Sequence, residues 1–266
     1  MDLAFINNSY CNILKLFLSE KEANQLYAQQ LLNEVTDELS NSINQNFNNI
    51  ISYGWTLSFL NVNKYININT DLYLEDFDDH VYKVTMQELS IEDFNIDILL
   101  DLINYLIIRL KDKNPNEEFY RNFIHSECIK LIINKLDCYL DLCISNKKLT
   151  KEQIYNCSRI LLKYSYCLDF IDIRKTSDSL INHIIFFITY FNNNLNKIHL
   201  YHNEISFIVL ATINRNHKIL FKSLYKIHKF YFSQEKNIPF KKKLKSCVNN
   251  HDLIFILTNT STKQYH

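Results

Sequence analysis

A chain of 266 residues with a single glycine, Gly54, has few ways of turning sharply. Glycine tolerates φ > 0 and lets backbone approach a ligand closely, and soluble domains carry roughly 7% of it. Dinucleotide fingerprints and phosphate loops need several glycines at fixed offsets, so the composition argues against both. Sheets joined by tight hairpins are disfavoured as well, because two-residue turns prefer Asn-Gly or Asp-Gly. What remains is an all-α chain in which asparagine takes the places where the backbone must turn.

The chain is 47% hydrophobic and 22% charged, a globular balance rather than a disordered one. Its 29 basic and 29 acidic residues cancel, so no global field draws in nucleic acid or an anionic membrane. Met1-Asp2-Leu3 lacks the basic start of a secretory signal, and Asn7, Asn8 and Ser9 interrupt the first apolar run. No stretch reaches the roughly 18 apolar residues of a membrane span. Ile181 to Phe191 comes nearest, and it reads as a buried core helix. Seven cysteines without regular spacing suit reduced thiols in the cytoplasm. Cys128, Cys138 and Cys143 are expected to be small buried hydrophobes. Cys138 and Cys143 are five apart, off the spacing that puts two ligands on one helical face.

Helical periodicity runs along the chain. Ser19 is placed to cap a helix, with Glu22 completing a capping box. Leu26, Tyr27, Leu31, Leu32 and Val35 then form an apolar face up to the Asn-rich segment Asn41 to Asn49. Further helices are predicted from about Ser52 to Asn63, from Leu72 to Leu89 and from Asn95 to Lys111. Arg109 and Lys111 suit the C-terminal pole of the last of these, and Asn114-Pro115-Asn116 stops it. Glu117 to Cys143 follows. Thr150 then caps a helix to about Phe170, with Glu152 near its first turn. Asp178 or Ser179 opens another through Tyr190. Asn203 to Ile213, Lys218 to Phe232 and Asn250 to Leu257 complete the set.

Fairly amphipathic helices alternate with ones apolar nearly all round, at Ile98 to Leu110, Ile181 to Phe191 and His251 to Leu257. A helix with no polar face must be covered on all sides. Apolar helices inside and amphipathic ones outside predict a two-layer helical array over residues 1–266, curved or partly closed into an (α/α) toroid-like form. Four segments share an Asn or Asp followed by a short apolar run: Asn49 to Trp55, Asp101 to Tyr105, Asn182 to Phe187 and Asn250 to Phe255. Repetition at such intervals suggests repeated helical hairpins.

These segments resemble the lanthionine synthetase C-like family, whose fold is a double ring of α-helices. Inner helices there open on a Gly-Leu-Ala-Gly-Ile-Gly type motif, often followed by Trp and then by an acidic stretch. Gly54 and Trp55 match as they stand, with Asn49 and Ser52 where the first two motif glycines would be. Asp71 to His80 matches the acidic segment, and Tyr105 with Arg109-Leu110 resembles the Tyr-x-x-x-Arg-Leu end of the second inner helix. Asn182-His183 and Asn250-His251 resemble further inner-helix starts. The resemblance implies a toroid and an ancestral role in thioether cyclisation of dehydrated ribosomal peptides. The implied partners are a precursor peptide or a peptide-modifying enzyme.

The family's cyclases hold zinc through two cysteines and one histidine, in Trp-Cys-Tyr-Gly and Cys-His-Gly motifs. Zinc lowers the pKa of the peptide thiol, which then adds to a dehydrated residue. Neither motif is present: Trp55 precedes Thr56, and no cysteine has a histidine beside it. The expectation is a truncated or decayed member without zinc ligands, cofactor or catalytic residues, acting in the cytoplasm. A non-catalytic helical scaffold binding a peptide or protein is the alternative. Cys247 and His251 at i,i+4, with Cys157, Cys167 or His183 as a third donor, form the one replacement site to weigh; a buried thiol beside a capping histidine is the plainer reading. His199 and His202 read as a solvated link.

Two charged clusters also invite chemistry. Glu75, Asp76, Asp78 and Asp79 could be Mg²⁺ ligands or acid–base groups, but the start of a helix favours negative charge and water keeps it ionised. Lys241, Lys242, Lys243 and Lys245 could meet phosphate, yet in a neutral chain they read as a solvated loop. Neither nucleic-acid binding nor membrane insertion is expected. The 17 tyrosines and 18 phenylalanines, scattered at helical spacing, read as core.

Overall fold

The computed structural model describes residues 8–19, 21–41, 46–112, 119–146, 148–171, 174–194 and 200–215. Among these residues the structure is all helical and holds no strand. The helices are α1 (Asn8–Phe17), α2 (Glu22–Asn41), α3 (Phe47–Val62), α4 (Thr70–Tyr73), α5 (Glu75–Ser90), α6 (Ile96–Lys111), α7 (Phe119–Ser145), α8 (Lys151–Cys167), α9 (Arg174–Asn193) and α10 (His202–Arg215). Contacts divide the chain into two compact units, Met1–Cys128 and Ile129–His266, with the boundary inside α7. No described helix is long and apolar enough to cross a membrane. The helices expected at Lys218 to Phe232 and Asn250 to Leu257, the lysine cluster, Cys247, His251 and His199 lie outside the described residues.

Asparagine starts helices here rather than supplying left-handed turns. Asn46, Asn69 and Asn95 are N-caps whose side-chain oxygens accept from the backbone N–H groups of Asn48, Asp71 and Asp97. Such a cap satisfies one of the donors a helix start leaves open. Among the described non-glycine residues only Lys64, just after α3, has positive φ, at 62°. Asn49 lies in the first turn of α3, whereas Asp101 and Asn182 lie well inside α6 and α9, so those two segments do not mark helix openings; Asn250 to Phe255 lies outside the described residues. The first turn of α3 reaches into the supposed Asn-rich link, because Asn46 caps it. Leu72 to Leu89 is broken at Leu74, which closes α4 and opens α5. Thr150 caps α8 with Glu152 in its first turn, and Gln153 completes a capping box with it.

In the first unit α3 packs against α1, α4, α5 and α6. It is buried without interruption from Ile50 to Leu60, and α6 is enclosed from Leu99 to Arg109 save for Asp101. By contrast α2 buries one stripe, Ala28, Leu32 and Leu39, and leaves Leu26 and Tyr27 exposed. The apolar face predicted for α2 is therefore rotated toward Ala28. Three pairs join α3 to α6: Gly54 with Tyr105, Ser58 with Arg109, and Asn61 with Asp112. Every pair is separated by 51 residues, so the two helices run parallel.

The second unit repeats this relationship. Within it α8 packs on α9 and α10. Tyr155 meets Phe207 near their N-terminal ends, and the Ser165 carbonyl accepts from Asn214 and Arg215 near their C-terminal ends. The offset is again close to 50 residues, with α9 as the return. The enclosed helices are α8 and α10, not α9. Leu180, Ile184, Phe187, Ile188 and Phe191 of α9 are buried, but Asn182 and Thr189 are exposed and Ile181, Ile185 and Phe186 only partly covered. Reading Ile181 to Phe191 as a fully buried inner helix was thus mistaken: its aromatic and β-branched residues include a half-solvated face. Cys138 is likewise exposed, whereas Cys128 and Cys143 are buried as expected.

Candidate functional site

The densest constellation of polar side chains lies in the first unit, where α3 to α6 and the start of α7 meet Arg109. Arg109 sits one turn after Tyr105 on α6 and is only 2% exposed. Its guanidinium forks onto Asp78 of α5, with Nε 3.2 Å from Oδ1 and Nη2 2.9 Å from Oδ2. Nη2 also donates to Asp71 Oδ1 at 2.8 Å, and Nη1 to Thr70 Oγ1 at 3.0 Å. Thr70 in turn donates to Asp112 Oδ2 at 2.7 Å, and Asn61 donates to the other Asp112 oxygen at 2.7 Å. The fixed fork of arginine suits such bidentate pairing, which a lysine could not reproduce.

Asp78 is the second hub. It takes hydrogen bonds from the Tyr105 hydroxyl at 2.7 Å and from Arg121 Nη1 at 2.8 Å. His125 Nε2 lies 3.5 Å away. Arg121 and His125 are spaced i,i+4, which places both on one face of α7. Burial pushes the Asp78 carboxyl up, but the imidazole of His125 and the guanidinium of Arg109 outweigh it and hold it well below the usual carboxylate range. The Tyr105 hydroxyl moves well up, through burial first and the Asp78 charge second. Asp112 is raised, because burial exceeds what Thr70, Asn61 and Arg109 return.

The pairing and burial of these groups bear on the chemistry. A carboxylate held ionised by an imidazole and a guanidinium is a poor proton acceptor, and a buried, protonated tyrosine is a poor nucleophile. What the arrangement does well is hold helices at fixed distances, since a buried ion network broken at one member leaves uncompensated charge. Asp78 is therefore not the water-solvated carboxylate expected of the acidic run. Glu75, Asp76 and Asp79 are exposed, while Asp78 turns inward. Helical periodicity explains the split: Asp78 shares a face with Leu74, Val81 and Thr85, all buried.

Of the donors weighed for a replacement zinc site, His183, Cys157 and Cys167 lie among the described residues. His183 Nε2 lies 2.9 Å from Asp141 Oδ1, and its Nδ1 lies 3.4 Å from Asp137 Oδ1. Ser179 donates to the same Asp137 carboxylate. Cys157 and Cys167 are buried, and burial pushes the Cys167 thiol up. No described trio of His, Cys, Asp or Glu is grouped as a metal site requires. The central pair weighed for that site, Cys247 and His251, lies outside the described residues.

The sequence reading named Gly54, Tyr105, Asp78 and Arg109 without joining them into a site, and did not single out Thr70, Asp112, Arg121 or His125. The i,i+4 pair Arg121 and His125 was the available signal. The second unit also holds a cleft of about 740 Å³ between the N-terminal ends of α8 and α10, lined by Lys151, Glu152, Tyr155, Leu200, His202, Asn203 and Glu204. Burial raises the Glu204 carboxyl there, against Lys151 and His202. Compared with family models, curated proteins and solved structures, the chain matches none.

Proposed function

We propose that this chain is a non-catalytic helical scaffold that binds a peptide or protein in the cytoplasm, built on an (α/α) array of the lanthionine synthetase C-like kind. One observation carries this reading: four of the residues on which the resemblance rests meet in a single internal tie. Gly54 makes room for Tyr105, Tyr105 bonds to Asp78, and Asp78 pairs with Arg109. Motif residues spent on holding helices together suit a protein that keeps an architecture rather than a reaction. Parallel enclosed helices about 50 residues apart in both units support a repeated, toroid-like arrangement. Large exposed side chains favour binding. On the first unit Leu72, Tyr73, Tyr120 and Phe123 are at least half exposed, and aromatic residues are the usual anchors of protein interfaces.

The test uses the purified full chain and a dehydrated precursor peptide. The expected result is saturable peptide binding that Tyr73→Ala or Tyr120→Ala weakens, without thioether formation and with well under one equivalent of zinc. A cyclised product, or stoichiometric zinc lost in Cys247→Ala, would overturn the non-catalytic reading. Binding that neither tyrosine affects would overturn the proposed surface.

A further inference from the structure

The neutral chain is not evenly charged. Met1–Cys128, the first unit, holds twenty acidic and eight basic residues, and residues 46–112 alone hold eleven and four. Two of the unit's cations are spent inside it, Arg109 on Asp71 and Asp78 and Arg121 on Asp78. Lys83 is the one lysine or arginine on α4 and α5, against Asp71, Glu75, Asp76, Asp78, Asp79 and Glu88. Carboxylates on this side of the unit therefore outnumber the cations that could neutralise them.

The excess borders an apolar face. Arg109 Nη2 lies 2.8 Å from Asp71 and 2.9 Å from Asp78, and Asp78 takes Arg121 at 2.8 Å. One knot thus draws α4 and the first turn of α7 together. Leu72 and Tyr73 follow Asp71 directly, Tyr120 and Phe123 flank Arg121, and all four are exposed. Arg121 also lies 3.9 Å from Glu75, so the start of α5 sits beside the start of α7. Glu75, Asp76 and Asp79 are exposed there. Asp79 stands i,i+4 from Glu75 and i,i+3 from Asp76, so the three form one acidic edge.

We propose that this face docks a basic amphipathic segment of a partner protein. Its lysine or arginine side chains meet Glu75, Asp76 and Asp79, and its apolar side chains cover Leu72, Tyr73, Tyr120 and Phe123. The inference rests on the peptide-binding reading above and adds the partner's charge to it. Exposed aromatic residues anchor such a contact, while unlike charge around them selects the partner and speeds its arrival. The long stems of lysine and arginine lie along tyrosine rings while their charged ends reach carboxylates. An acidic segment is repelled by the same edge and by the unit's excess of negative charge.

The experiment measures fluorescence anisotropy of a labelled amphipathic peptide of leucine and lysine against the full chain. A counterpart with glutamate in place of lysine is measured beside it. The lysine peptide should bind at least about ten-fold more tightly at low ionic strength, and added salt should shrink the difference. Asp76→Asn combined with Asp79→Asn should weaken the lysine peptide several-fold, and Lys83→Glu should strengthen it. Tyr73→Ala should weaken both peptides. Circular dichroism checks the helices of each variant, and Lys83→Glu keeps the test open if the double variant loses them. Equal affinity for the two peptides, still lowered by Tyr73→Ala, would overturn this inference and leave the peptide-binding reading standing. A lysine preference that follows the charge variants and ignores Tyr73→Ala would overturn both. Lysine-peptide binding that no charge variant alters would overturn the inference. So would a salt-sensitive dimer of the full chain that the double variant separates, since a second copy would then occupy the face.

Discussion

Gly54 of α3 lies so close to the ring of Tyr105 on α6 that a Cβ on the glycine would come within 2.5 Å of Cε2. The single glycine is kept for this approach and not for a turn, since it sits mid-helix without positive φ. Gly54→Ala should therefore destabilise the protein by about 1–3 kcal/mol, the usual cost of overpacking a core. In a Tyr105→Ala background the same change should instead stabilise by roughly 0.5–1 kcal/mol, the helix preference for alanine over glycine. Urea unfolding of the four proteins checks the reversal of sign.

Arg109 is expected to be the costliest single residue of the network. Arg109→Ala strands Asp71, leaves Asp78 with Arg121 alone as its guanidinium partner, and should cost about 3–5 kcal/mol, as removing one partner of a buried pair does. Arg109→Lys should recover only part of this, because an ammonium cannot reproduce the fork. A loss under about 1 kcal/mol in chemical denaturation would show that the network is solvated instead.

The pH dependence follows from Asp78. Its folded-state carboxyl lies below the ordinary range, so its contribution is fully present above the unfolded value, about 3.9, and is lost as pH falls further. Asp112 is raised, and its contribution has the opposite sign: it favours the fold at low pH and is lost as pH rises through its folded value. Thermal melts should show the wild type falling steeply below about pH 4. Asp78→Asn should start lower at neutral pH and fall less steeply in that range.

Trp55 is 2% exposed and stacks on Phe59 one turn along α3, with ring centroids 5.2 Å apart. Trp55→Ala should cost about 3–5 kcal/mol. Chemical unfolding showing less than about 1 kcal/mol would mean that the site collapses freely.

Much of the helical content was legible, and the reasons for the failures are physical. Ile98 to Leu110 announced a covered helix because it has few polar residues to give to solvent. The covered helix α8 did not, because Ser158 and Ser165 are buried by bonding to carbonyls of their own helix, Ile154 and Leu162. Such bonds let hydroxyls pass as core residues. The same device hides Thr56 in α3 and Thr212 in α10. Arg109 was legible as a charge at a helix end and as part of a helix-end motif, but its partners were not. Its carboxylate partners Asp71 and Asp78 lie 38 and 31 residues back in the chain, beyond any periodicity.

The central claim is that the motif residues act together as one tie between helices. A double-mutant cycle on Tyr105→Phe and Asp78→Asn, followed by urea unfolding at neutral pH, tests it most directly. The account predicts a coupling energy of about 0.5–3 kcal/mol, since the Tyr105 hydroxyl and the Asp78 carboxylate share a buried bond. Additive effects, agreeing to within about 0.3 kcal/mol, would contradict it.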